Sequence, residues 1–584
     1  MTTNMRKTME KNTAWAIGLS SVVLIGFFFL QTYFMPKPQP VTQKNETTAV
    51  EAAAENSESI EKNIPEKVGI VNSQNSDSLA EENFTLETNK VKVTFTNRGG
   101  DIIGYELKDH IDSDTNGFIQ MADNITDSNR AFAISIGGAE NSIVNDIFDS
   151  KKIDDNKIGF FKIYDVNNPD GSKGEFVLVK TYTFNPDDYV FKLDVTVGPG
   201  ENFQGLDLNG SSYSLRTSPQ MGPFYNPKVN RYENRQFISY NGKNKKRIIL
   251  GTNQTKSYEK EWNWVSMAGK YFEVLLCPSD SSSMNSKVTY SSKTELKDKT
   301  DAQAIVSRKS VDANGSNDTY YVYVGPRNEK DLRIYNVPEN NVWKLDGVRF
   351  DNSIQTSGFL SWLEIVLKFL LEMINKLVHN WGVSIIIVTA ILKFAMFPIT
   401  AKTAKSTVKM QALQPKMQAL QEKYRDNPQK LNEQTMKLYK EIGYNPLSGC
   451  LPMLFQFVIL FAMYNLFNNY FEFRGASFIP GWISDLSAGD HVATLKFNLP
   501  FLGNQIRILP VIYVISQLLF GKITQNGGTT AGQSAMQMKM MMYGMPILFF
   551  FLFYNAPSGL LLYWTVSNLI QLGQQLFINA KIKK

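Results

Sequence analysis

Only two cysteines, Cys277 and Cys450, occur among 584 residues, and the three histidines, His110, His379 and His491, stand far apart. The first scarcity excludes a disulfide framework, and the second leaves no ligand spacing for a metal ion. Strong charge of one sign is missing too. The net charge is +6 and spread along the chain, which gives little support to direct binding of nucleic acid. A phosphate-cradling loop ends in Gly-Lys-Ser or Gly-Lys-Thr before a helix, and Gly521-Lys522-Ile523 fails at its last position. ATP-driven transport is therefore not expected. With neither a nucleophile elbow nor paired carboxylates in the apolar half, the chain does not read as an enzyme, and no cofactor is implied.

Long apolar runs are scarce before Gly358, apart from one near the start. There Arg6, Lys7 and Lys11 precede a stretch from Ala14 to about Met35, and Pro36-Lys37-Pro38-Gln39-Pro40 follows in place of a small-residue cleavage pattern. Residues 1–35 thus read as a retained membrane anchor rather than a signal peptide. Residues 36–85 are rich in Pro, Glu, Ser, Asn and Gln, with too few apolar groups to offset the entropy of ordering a chain, and predict a flexible linker. Period-two segments then begin. Val91, Val93 and Phe95 share one face, as do Tyr189, Phe191, Leu193, Val195 and Val197, and turn pairs such as Gly99-Gly100, Asn209-Gly210 and Asn241-Gly242 punctuate them. Residues 86–352 are expected to form a large antiparallel β-sandwich domain.

From Gly358 the periodicity turns helical. Within residues 355–379, Glu364, Lys368, Glu372, Asn375, Lys376 and His379 form a polar stripe against Leu, Ile, Phe and Trp, the pattern of an amphipathic helix lying in a membrane interface. An apolar span, Trp381–Thr400, follows. Residues 401–447 are polar again, with two seams of apolar residues around Asp426-Asn427-Pro428, and predict a coiled-coil hairpin kinked at Pro415. That hairpin carries nine Lys or Arg against four acids, which marks it as cytoplasmic. Further spans are expected at about Cys450–Asn468, Ile506–Phe520, Met541–Tyr554 and Ser558–Ile578. The fold class is thus a polytopic α-helical membrane protein of six spans, five of them within residues 380–584, with the β-domain outside the cytoplasm and both termini inside.

One charge interrupts this apolar pattern. Lys393 sits inside the Trp381–Thr400 span, where an ammonium in hydrocarbon costs a few kcal/mol on insertion scales, about 2.5–3.5, and so faces water, a partner or a bundle interior. It is seven residues, or ~10 Å, from the span's cytoplasmic end, so snorkelling and a cation within a groove both stay open. Thr389 lies one turn earlier on the same face. Gln456 and Asn465 in the third span, Ser516 and Gln517 in the fourth, and Ser567, Asn568 and Gln571 in the sixth could line a hydrated cavity with it or simply bond helix to helix.

Trp381–Thr400 with the hairpin after it, Asn445-Pro446-Leu447-Ser448-Gly449-Cys450 with Pro452, and Pro557-Ser558-Gly559-Leu560 to Ser567-Asn568-Leu569 occur in an order that resembles the YidC/Oxa/Alb membrane protein insertases. The preceding anchor, linker and β-domain resemble the form found in bacteria with two membranes, where that domain is a periplasmic β-supersandwich. The resemblance implies an inner-membrane insertase and chaperone for nascent membrane proteins, working alone or with the Sec translocon and without ATP hydrolysis. Lys393, Thr389, Gln456, Gln517 and Trp564 would form its groove. Pro452, Phe455, Met545 and Phe549 would contact the sliding substrate, and Lys416, Lys423 and Arg425 of the hairpin would meet a ribosome; membrane lipids complete the implied partners. The family's groove residue is typically arginine, and lysine stands at that position here. A transporter would need several intramembrane charges or paired broken helices, which are not seen, and glycan binding by the β-domain stays open.

Overall fold

The computed structural model describes residues 70–73 and 80–583, apart from 113–114, 123–124, 218–234, 251–252, 260–261, 282–284, 294–300, 355–357, 425–426, 442–445, 500–501 and 526–542. The expected anchor and most of the expected linker lie outside the described residues. Two compact units result, one within Thr32–Ile354 and one within Gln355–Lys584.

Alternation builds the first unit. In Lys173–Phe184 every second side chain is buried, and Phe176, Leu178, Tyr182 and Phe184 point inward. Val190–Pro199 does the same with Phe191, Leu193, Val195 and Val197. These two strands pair and lie inside a ten-stranded antiparallel sheet, accompanied by five-stranded and four-stranded sheets. Phe95 of the four-stranded sheet meets Tyr182 at 5.0 Å, and Phe237 of the large sheet meets Tyr290 of the five-stranded one at 4.9 Å, so aromatic rings fill the space where sheets face each other. Each such ring contributes about 1.5–3 kcal/mol by leaving water. Trp264–Ala268 and Phe272–Pro278 are buried on both faces. Their second cover comes from the segment that includes helix α1 (Glu329–Arg333) and ends near Ile354: Trp264 packs on Phe350 and its indole donates to the Val348 carbonyl at 2.8 Å.

One inward position breaks the apolar row. Lys180 is fully buried and bonds Asp101, which also accepts from Arg130 Nε at 2.9 Å, while the Gly99 and Phe132 carbonyls take the remaining ammonium donors. Satisfying every donor is what permits a buried charge. The turn that presents these groups depends on Gly100, whose φ is +60° and where a Cβ would stand 2.7 Å from Phe160 Cβ.

The second unit is helical: α2 (Ser361–Val378), α3 (Trp381–Lys423), α4 (Pro428–Glu441), α5 (Pro446–Asn469), α6 (Leu509–Gln525), α7 (Met545–Phe553) and α8 (Ser558–Lys583). His379 in the left-handed region ends α2, and the Asn380 side chain caps α3 by accepting from Val383 N at 3.0 Å. The polar stripe of α2 turns toward protein: Glu364 accepts from Asn465 Nδ2 at 2.8 Å and Glu372 from the Tyr470 hydroxyl at 2.7 Å. Trp362, Ile365, Val366, Phe369, Met373 and Leu377 are left exposed. The expected span Trp381–Thr400 is the first part of α3, which continues as one α-helix through Pro398 and Pro415 for 43 residues into the expected hairpin. By length and composition Trp381–Lys402 could cross a membrane, with mean hydropathy 2.1, and Leu509–Ile523 is a shorter apolar helix.

The connection between α5 and α6 folds over the ends of other helices. Gly382 of α3 is approached so closely by Phe478 that a Cβ there would lie 2.2 Å from the ring, and Trp381 packs edge-on against Tyr470 and Phe473. At the start of α8, Ser558 N and Gly559 N donate to the Ala488 and Leu486 carbonyls at 2.7 and 2.9 Å. Asp490 Oδ2 accepts from Trp482 Nε1, Ile508 N and Leu509 N at 2.8–2.9 Å, supplying from a distance the cap that α6 lacks in its own sequence.

Candidate functional site

The apolar faces of α3, α5, α6 and α8 bring a small set of polar side chains together. Alpha-helical spacing puts Thr389 and Lys393 one turn apart on α3, and α8 packs along both α3 and α6. Lys393 is 7% exposed. Its Nζ donates to Gln456 Oε1 of α5 at 3.0 Å and to Gln571 Oε1 of α8 at 2.9 Å, so the ammonium is held between helices and not extended into solvent. Gln574, one turn after Gln571, donates from Nε2 to the Lys393 carbonyl at 3.1 Å. The cation's partners are therefore neutral dipoles. No described carboxylate forms an ion pair with it. Amide oxygens stabilise an ammonium by charge–dipole attraction while leaving its net charge in place, and that charge can still attract an anion.

The other expected residues are distributed around this point. Thr389 is fully buried and its hydroxyl donates back to the Ile385 carbonyl at 2.6 Å, a bond within its own helix. Gln517 donates to the Tyr513 hydroxyl at 3.0 Å. Trp564 is buried between Tyr513 and Phe553, at ring distances of 5.5 and 4.7 Å, in an aromatic cluster that reaches Phe549 through Phe553. Asn568 Nδ2 reaches Ser516 Oγ at 3.2 Å and ties α8 to α6. Phe455 is exposed on α5, and Met545 is the first residue of α7. Lys416 and Lys423 are exposed on the far part of α3. Arg425 lies outside the described residues, as does the Pro452 side chain.

Gln571 stood among the polar residues of its span, but nothing in the sequence assigned it to the lysine. Gln574 was not singled out at all. Its signal was the three-residue step from Gln571, which puts the two amides on one helix face.

A family model described as 60Kd inner membrane protein matches residues 373–584, and one described as YidC periplasmic domain matches residues 83–367. A membrane protein insertase YidC of Treponema denticola is 42% identical over 99% of this chain and all of its own length. The Treponema pallidum protein of the same description is 36% identical over 99% of this chain, and that of Syntrophus aciditrophicus 28% identical over 98%, each along its full length. Among solved structures, a putative aldose 1-epimerase of Escherichia coli K12 aligns over 42% of this chain and 99% of its own at 8% identity and a TM-score of 0.26, too weak a likeness to bear on activity.

Proposed function

The chain belongs to the family of YidC membrane protein insertases, and within that activity we propose that Lys393 is the charge that receives the substrate. The family is one of membrane proteins and not of enzymes, with nascent membrane proteins as substrates. In the proposed mechanism an acidic or polar segment of the substrate enters a hydrated groove between α3, α5 and α8, drawn by the Lys393 ammonium, and its path across hydrocarbon is shortened. The substrate's apolar segment then passes along α5 and α7, near Phe455, Met545 and Phe549, into lipid. Burial at ~25 cal/mol per Å² drives that step without ATP.

The observation that carries this reading is a buried cation held by Gln456 and Gln571, two neutral amides, instead of a carboxylate. A structural ion pair would have spent the charge inside the protein. Thr389, Gln517 and Trp564 line or support the same groove in this reading. The accompanying topology has six crossings, counting the anchor, α3, α5, α6, α7 and α8, with both termini and the α3–α4 hairpin in the cytoplasm and the β-domain in the periplasm. There the hairpin, through Lys416, Lys423 and Arg425, would meet the ribosome, and the Sec translocon and lipids would be neighbours. The basic excess of residues 401–447 supports that orientation.

The test is insertion of a substrate with a charged translocated tail in cells depleted of the native protein. Lys393→Arg should support it and Lys393→Ala should impair it. Normal insertion by the alanine variant would remove the charge from the mechanism.

A further inference from the structure

The connection between α5 and α6 carries a second surface, apart from the site around Lys393. Ala493–Leu499 and Gly503–Ile506 form a two-stranded antiparallel hairpin, with Ala493 opposite Ile506 and Thr494 opposite Gln505. Among the described residues the two strands pair only with each other. An isolated hairpin is marginal in water and needs one face covered. Its first strand alternates apolar Ala493, Leu495, Phe497 and Leu499 with polar Thr494, Lys496 and Asn498, the pattern of a strand with a core beneath it. The core is missing. Phe497 is 63% exposed, and Val492 and Ile506, at the base of the hairpin, are exposed as well.

We propose that this hairpin is a membrane-surface anchor, with Phe497 and its apolar neighbours set into the headgroup–acyl boundary of the leaflet at that end of the helices. Two features favour lipid over protein. The exposed apolar surface continues into that of α6: Ile508 stands two residues past the hairpin, and Val511, Ile515 and Leu519 succeed it at steps of three and four residues on one exposed helix face. The segment also contains no acid from His491 to Ile506, while Lys496 is exposed next to Phe497, which suits anionic phosphate headgroups. An apolar face flanked by a cation is the composition of segments that lie on a bilayer surface. The hairpin is fixed at both ends, by Asp490 before it and by Arg507 after it, whose guanidinium donates to the Asp490 carbonyl at 2.7 Å and to Asn555 Oδ1 at 3.1 Å. An anchor held this way would set the depth of α6, α7 and the start of α8 together.

This inference rests on the reading of α6 as a membrane-crossing helix, and the experiment separates the two. Nitroxide labels are placed one at a time at positions 494 to 497, 505, 506 and 511 of the full chain carrying Cys277→Ala and Cys450→Ala, reconstituted in phosphatidylethanolamine and phosphatidylglycerol vesicles. Collision rates with oxygen, which concentrates in lipid, are compared with those of a water-soluble nickel chelate. Labels at 495, 497, 506 and 511 should favour oxygen and those at 494, 496 and 505 nickel, a period-two pattern that only an amphipathic strand at a lipid surface produces. Nickel preference at every hairpin position, with oxygen preference kept at 511, would overturn the anchor and leave α6 in the membrane. Shielding of 497 from both reagents would mean a protein partner covers it and would also overturn the proposal. Nickel preference at 511 would overturn both readings.

Discussion

Gln571→Glu offers the sharpest test of whether the charge on Lys393 is used. Gln571 Oε1 lies 2.9 Å from the ammonium, so a glutamate of the same length replaces a dipole by a full negative charge at almost the same place. At an effective dielectric constant of about 20 the new pair attracts by about 6 kcal/mol. A substrate carboxylate that comes within about 4 Å of the free ammonium would gain about 4 kcal/mol on the same terms, or about 1 kcal/mol if the groove is as polar as bulk water. The resident glutamate removes that gain. Insertion of a substrate with an acidic tail should therefore fall by a factor between roughly 5 and 10³, while one with an uncharged polar tail should change little. Gln571→Met breaks the same hydrogen bond yet keeps the cation, so its effect on the acidic tail should be smaller than that of glutamate. The assay is the appearance of the protease-protected translocated tail in vesicles loaded with equal amounts of each variant. Wild-type insertion of the acidic tail by Gln571→Glu, or an equal loss for both tails, would refute the argument.

Two further outcomes follow from other parts of the molecule. Asp490→Ala removes three hydrogen bonds, one from the residue before α6 and one from its first residue, and should cost about 1–2 kcal/mol locally; amide exchange at residues 505–515 should speed up by roughly tenfold, and unchanged exchange would show that the cap is dispensable. In the β-domain, burial pushes the Asp188 carboxyl above the usual aspartate range, although Val190 N and the Tyr335 hydroxyl donate to it. Because the folded value is raised, the native state holds this proton more firmly than the unfolded chain, and stability from this group is lost as pH rises from the ordinary aspartate value through the raised one. Asp188→Asn should thus raise the melting temperature of the β-domain at neutral pH, with the gain vanishing at acid pH below the ordinary value. A calorimetric loss at both pH values would contradict this.

Patterns that repeat at short range were legible in the sequence. The strand containing Phe191, Leu193 and Val195 announces itself because each inward residue repeats every second position, and the wall it joins needs no other information. Lys393 was equally visible, since one charge in an apolar helix has no local explanation. What escaped was pairing between distant helices. Whether Lys393 meets Gln456, Gln517 or Gln571 depends on how α3, α5, α6 and α8 are rotated and shifted against one another, and no local periodicity encodes a shift. Lys180 and Asp101 illustrate the same limit in the β-domain, where two charged residues 79 positions apart occupy an interior that alternation alone assigns to apolar groups. At Thr400 the change is one of composition and not of backbone. Composition changes there from apolar to basic, but both compositions favour helix, so α3 has no physical cause to stop.

The distance along the chain between Lys393 and its partners has a consequence for biogenesis. Gln571 lies 178 residues after Lys393 and Gln574 lies 181. At a synthesis rate of about 5–20 residues per second, roughly ten to forty seconds pass between the emergence of the lysine and of the second amide that holds it. During that interval Gln456, only 63 residues after the lysine, is the one partner amide already made. The setting of the cation between two amides is therefore complete only when α8 closes against α3.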